Sequence, residues 1–153
     1  MEKLQEIYCE YTETLGKVIK KTSPLAGIFG TGGGAKSHPC HEAFYENVGQ
    51  WVETFLAQQP EEADVADAVH FMLIAAAAHK GEPTYSLCFA AQGHAKKLIG
   101  LLSKEDCAAL QEEYDSLYPE SVRLPVNQQV YDMLRAGSGI PPKKKGLFSF
   151  LKT

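Results

Sequence analysis

A cysteine and a histidine stand side by side where a helix should begin. The stretch Gly30-Thr31-Gly32-Gly33-Gly34-Ala35-Lys36-Ser37 runs into His38-Pro39-Cys40-His41-Glu42, and a helical pattern follows. Proline favours the first helical position, so Pro39 predicts that Cys40 lies in the first turn. Unpaired backbone N–H groups and the positive end of the helix dipole favour an anion there, a thiolate included. The chemistry to expect is that of a nucleophilic thiol, with His41 as its base or its neighbouring cation. Cys40 and His41 are therefore the candidate catalytic residues. The glycine N–H groups of Gly32, Gly33 and Gly34, together with Lys36, form a candidate anion- or ligand-binding loop.

The same loop comes within one residue of the phosphate-binding pattern G-x-x-x-x-G-K-[ST], with Ala35 in place of the glycine before lysine. A nucleotide site of that kind needs a parallel sheet behind the loop. Leu25 to Phe29 is a glycine-broken stretch, and the chain offers helices instead. Nucleotide hydrolysis is not expected.

Metal chemistry is the third candidate. His41, His70 and His94 fall on three successive helical segments, and Cys40 or Glu42 could add a further ligand. If the three helices pack together, the set would suit zinc or iron. His70 lies in line with Ala66, Leu73, Ile74 and Ala77, and His94 with Leu87, Ala91, Leu98 and Leu101, so both are expected to face apolar surroundings. The competing reading for each is a core histidine with one hydrogen-bond partner. Cys9, Cys88 and Cys107 sit in helical patterns and read as core residues. Some of the seven tyrosines are expected to be half-buried, with a hydroxyl reaching a histidine or carboxylate.

The elements that must position these residues are helical throughout. Leu4, Ile7, Tyr8, Tyr11, Leu15, Val18 and Ile19 recur at three-and-four spacing, and Ser23-Pro24 ends that helix. After the glycine loop, a second helix is expected from Pro39 to Gln58. A third, 61–80, is apolar nearly all round and is expected at the centre. A fourth runs from Pro83 to Leu102, and a fifth starts at the Ser103 cap with Glu105 and Asp106 in its first turn. A sixth, from Val126 to Ala136, stops at Gly137. No alternating strand pattern is present. The fold class is all-α, a compact bundle of five to six helices, with residues 1–136 as one helical domain and 137–153 as a linker and tail.

The charge is divided unevenly. Hydrophobic residues make up 44% of the chain and charged residues 22%, ordinary for a folded domain. Residues 140–153 carry four lysines and no acid. The rest holds eleven Lys and Arg against nineteen Asp and Glu. An acidic body lacks the basic footprint that nucleic acid requires, so no nucleic-acid partner is expected. In the tail, Lys143, Lys144 and Lys145 precede Leu147, Phe148, Phe150 and Leu151. Lysines beside aromatic rings suit weak peripheral contact with an anionic membrane, or docking on a partner or on the chain's own acidic body. The N-terminus carries charge without an apolar run, and the cysteines are dispersed, so a reduced, cytoplasmic protein is expected. The function read from the sequence is a non-catalytic helical module binding a small ligand or a protein partner. The alternative is a metal- or thiol-dependent activity centred on Cys40 and His41.

Overall fold

Six α-helices and no strand make up the described residues of the computed structural model, which are 1–21, 39–77 and 85–140. The glycine loop with Gly32, Gly33, Gly34 and Lys36 lies outside them, as does the tail with Lys143, Lys144, Lys145, Phe148 and Phe150. The helices are α1 (Glu2–Lys21), α2 (Cys40–Ala57), α3 (Glu62–Leu73), α4 (Tyr85–Ile99), α5 (Lys104–Leu117) and α6 (Pro125–Gly137). Short 3-10 turns, Ala75–Ala77 and Glu120–Val122, follow α3 and α5.

The periodicity of α1 does what its spacing requires. Leu4, Ile7, Tyr8, Tyr11 and Leu15 are buried along one stripe, and α1 packs on α2. Phe44 is the contact point: the Tyr11 ring stacks on it at 4.0 Å and the Tyr8 ring meets it edge-on at 4.9 Å. Tyr8 also meets Phe71 of α3 at 5.1 Å. Along α2 the buried residues Phe44, Val48 and Val52 recur every four positions.

The third helix is shorter than its alanine-rich sequence suggests, because the chain tightens into a 3-10 turn at Ala75–Ala77. It is also one-sided. Val65, Ala68, Val69, Met72 and Leu73 are buried, whereas Glu62, Asp64, Asp67 and His70 are exposed. The helix that packs against α2, α3 and α6 together is α4. Small residues permit the closest crossings. A Cβ at Gly49 of α2 would stand 2.7 Å from His94 Cε1 of α4, and one at Gly137 of α6 would stand 2.5 Å from Cys107 Sγ of α5.

The α4–α5–α6 side of the bundle is held by polar groups that water does not reach. Gln92 of α4, Tyr114 and Tyr118 at the end of α5, and Asn127 of α6 are all buried. Tyr114 donates its hydroxyl to Gln92 Oε1 at 2.7 Å, and Asn127 Nδ2 donates to the same oxygen at 2.7 Å. Asn127 Nδ2 also lies 3.1 Å from the Tyr114 hydroxyl, and Gln92 Nε2 lies 3.4 Å from that of Tyr118. One amide oxygen thus collects a donor from each of two other helices. Asn127 Oδ1 is buried and accepts no hydrogen bond among the described residues. Beside this cluster, Arg123 clamps the α5–α6 connection with a side chain only 3% exposed. It donates from Nε to the Tyr118 carbonyl at 2.7 Å, pairs with Asp115, and lies 3.7 Å over the Tyr131 ring.

Both ends of this unit are set by local chemistry. Ser103 Oγ accepts from the Asp106 N–H at 3.1 Å and caps α5. At the end of α6, Gly139 adopts φ +79°, Gly139 N–H donates to Ala136 O at 3.1 Å and Ile140 N–H donates to Arg135 O at 3.2 Å. That pair of bonds is a Schellman motif, which needs the left-handed conformation that glycine adopts without strain. It fixes the course of the backbone up to Ile140.

A buried donor or acceptor left without a partner costs roughly 1–3 kcal/mol. Gln92→Met keeps the volume and removes the shared acceptor, so it should lower stability by about 2–3 kcal/mol in urea unfolding. Adding Tyr114→Phe and Asn127→Leu removes the stranded groups and should recover most of that loss. A Gln92→Met protein as stable as the parent would show that the cluster does not hold the three helices.

Candidate functional site

Cys40 opens α2, with Pro39 before it at helical dihedral angles of −56° and −19°. The expected position at a helix start is therefore correct. The expected activation is not. Burial pushes the Cys40 thiol up from its ordinary value, and the helix-terminal backbone opposes this only in part. Geometry points the same way. The Tyr11 hydroxyl lies 3.0 Å from His41 Nδ1, while Cys40 Sγ lies 3.9 Å from that same nitrogen. A ring nitrogen offers one in-plane hydrogen-bond position. The shorter phenol contact takes it, which leaves the thiol a poor claim on His41 as a base. The pair Tyr11–His41 joins α1 to α2, and the expectation that a tyrosine hydroxyl reaches a histidine holds here.

The metal centre expected from His41, His70 and His94 with Cys40 or Glu42 is not assembled. Among the described residues no three His, Cys, Asp or Glu side chains are placed to share an ion. The reason is the facing of each helix. His70 is on the outer side of α3, where its Nε2 lies 3.4 Å from Glu113 Oε2 of α5. It does not face the apolar surroundings expected for it. Glu42 is exposed. His94 lies between α2 and α4, packed on Gly49 with its ring 4.2 Å from that of Tyr45.

His94 is a half-buried imidazole with a specific electrostatic consequence. Its Nε2 is buried and has no hydrogen-bond partner among the described residues. Burial, helped by the Lys97 charge, holds its pKa below the ordinary value; the Tyr45 carbonyl and Glu53 oppose the shift. A charged ring would bury a donor with no acceptor.

The cysteines separate by exposure. Cys107 is buried as expected, where burial and Asp106 both push its thiol up. Cys9, expected in the core, is exposed on the outer face of α1. Cys88 lies in α4, but its side chain is outside the described set.

A concave feature on the surface of the described residues was not found by sequence reasoning. Ala108, Gln111, Glu112, Asp115 and Ser116 form a stripe along α5 and, together with Ile140, line an open groove of about 520 Å³. The spacing of these residues is three-and-four, the signature of one helix face. It escaped notice because a polar helix face ordinarily reads as solvated surface. Only the fold shows that Ile140 is laid beside it. Glu112 is exposed and pairs with no cation among the described residues, while Asp115 is engaged by Arg123.

No protein-family model, curated protein or solved structure matches this chain.

Two measurements test these placements. Brief iodoacetamide treatment with peptide mapping should rank Cys9 above Cys40, and Cys40 above Cys107; Cys40 reacting first at neutral pH would restore the activated-thiol reading. For His94 the folded pKa lies below the ordinary 6.5. Its contribution to stability is then fully present above that value and is lost as pH falls below it, because the unfolded chain takes up the proton first. The stability difference between the parent and His94→Leu should therefore shift against the parent as pH falls from 7 to 5. Parallel pH profiles would contradict the assignment.

Proposed function

We propose that this chain is a non-catalytic binding module whose partner is a basic, partly apolar protein segment received along α5. The observation that carries this reading is the groove of about 520 Å³ with its mixed lining. Glu112 supplies a carboxylate with no cation partner among the described residues, Asp115 one already paired with Arg123, Gln111 and Ser116 supply hydrogen-bonding groups, and Ala108 and Ile140 supply apolar surface. Helix α5 as a whole carries five acids, Glu105, Asp106, Glu112, Glu113 and Asp115, against the single cation Lys104. A lysine side chain suits such a surface, since its methylene stem lies on the alanine and isoleucine while its ammonium meets the carboxylates. The groove is open, as a docking strip for an extended or helical segment should be, and it lacks the enclosure typical of small-molecule sites.

The reading also agrees with how the body is built. The buried amide cluster and the Arg123 clamp lock α5 against α4 and α6, so the strip needs no reorganisation before a partner arrives. The thiol alternative finds no comparable support, because the Cys40 thiol is pushed up and its neighbour is engaged by Tyr11.

The test uses fluorescence anisotropy with labelled synthetic peptides. A peptide alternating Lys with Leu and Phe should bind the chain ending at Ile140, weaken as salt is raised, and lose roughly tenfold in affinity with Glu112→Lys, about 1.4 kcal/mol. That shortened chain keeps every core residue among those described, the last of which is Leu134. A Ser/Gly peptide of equal length should not bind. Binding that ignores both salt and Glu112→Lys would place the partner elsewhere, and no binding at all would overturn the proposal.

A further inference from the structure

The strip on α5 has a candidate occupant in the same molecule. Resting on the reading of that strip as a basic-peptide site, we infer that the lysine segment 143–145 of this chain docks on it in cis, so that the protein's own tail occupies the site until a competing partner displaces it.

Three observations select this occupant. The first is continuity. Ile140 is both a wall of the groove and the last residue before the tail. The Schellman motif at Arg135, Ala136 and Gly139 fixes the course of the backbone up to it. The close approach of Gly137 to Cys107 places the exit point near the start of α5. The second is charge. The tail carries Lys143, Lys144, Lys145 and Lys152 with no acid, and the strip carries Glu112, which has no cation partner among the described residues, beside Asp115, which Arg123 already engages. The carboxylates lie toward the C-terminal half of α5, the end at which the helix dipole also favours cations.

The third is reach. From Ala108 to Ser116 the strip runs about 12 Å along the helix axis. An extended chain advances about 3.3 Å per residue, so Lys143 can stand about 10 Å from Ile140 and Lys145 about 17 Å. Prolines bias a chain toward extended backbone, and Pro141-Pro142 opens this segment of the sequence. The lysine side chains can thus reach the carboxylates, whereas Leu147 and Phe148, more than about 20 Å along an extended chain from Ile140, fall beyond the strip. A separate molecule would need high concentration to compete, because a short tether holds the tail at an effective concentration on the order of millimolar.

The experiment compares two lengths of the chain with one probe, a labelled synthetic peptide of residues 141–153. The chain ending at Ile140 should bind it, and Glu112→Lys in that chain should weaken binding roughly tenfold. The full-length chain should bind it at least about tenfold more weakly, since its own tail competes. Equal binding by both lengths would overturn the inference while leaving the groove a peptide site. Binding by neither would overturn both readings. Vesicle sedimentation adds a second arm. If the full-length chain associates with phosphatidylglycerol vesicles as readily as the free peptide does, the tail is exposed to membrane and the inference fails.

Discussion

The oxygen of one buried amide sets the geometry of half this protein. Gln92 Oε1 receives the Tyr114 hydroxyl from α5 and the Asn127 amide from α6, each at 2.7 Å. A hydrophobic contact tolerates sliding and rotation; a shared acceptor does not, because each donor must keep its direction. The three helices are therefore fixed in register as well as held together. A packing that buried these groups apart from one another would leave several donors and acceptors unmade, whereas here Asn127 Oδ1 alone of the cluster's atoms lacks a partner among the described residues. Arg123 extends the constraint to the connection between α5 and α6, with its guanidinium on the Tyr131 ring and beside Asp115.

This rigidity matters for function because the docking strip is the outer face of the helix so fixed. Tyr114 points inward to Gln92, while Glu112 and Asp115, its near neighbours in sequence, line the groove. The same helix thus reads buried amide on one side and offers carboxylates on the other. The opposite half, α1 on α2, is held by aromatic stacking around Phe44 and by the Tyr11–His41 contact. There the residues that looked most chemical have structural partners.

Much of the architecture was legible in the residues. The stripe from Leu4 to Leu15, the Ser103 cap and the Pro39 start all follow from local rules, and the structure shows each of them. What was not legible depended on facing. His70 is in line with Ala66 and Leu73, yet the buried face of α3 runs through Val65, Val69 and Met72, which turns His70 outward. Cys9 was misplaced for the same reason: it adjoins Tyr8 in sequence but stands off the buried stripe. The alanine run after Leu73 has high helix propensity, but the chain leaves the α-helix there, so propensity alone misplaced its end. The Gln92 cluster had no sequence signal, because a glutamine among apolar residues finds its partners only when two distant helices arrive.

The central claim is that α5 is held rigidly with its acidic strip outward, and the proposal built on it is that the chain's own lysine segment docks there. The most direct measurement is a comparison of backbone amide spectra between the full-length chain and the chain ending at Ile140, by two-dimensional 15N NMR. The account predicts shifts concentrated at Ala108, Gln111, Glu112, Asp115 and Ser116, with the amides of α1 and α2 unmoved. Superimposable spectra, or changes centred on Tyr11 and His41, would contradict it.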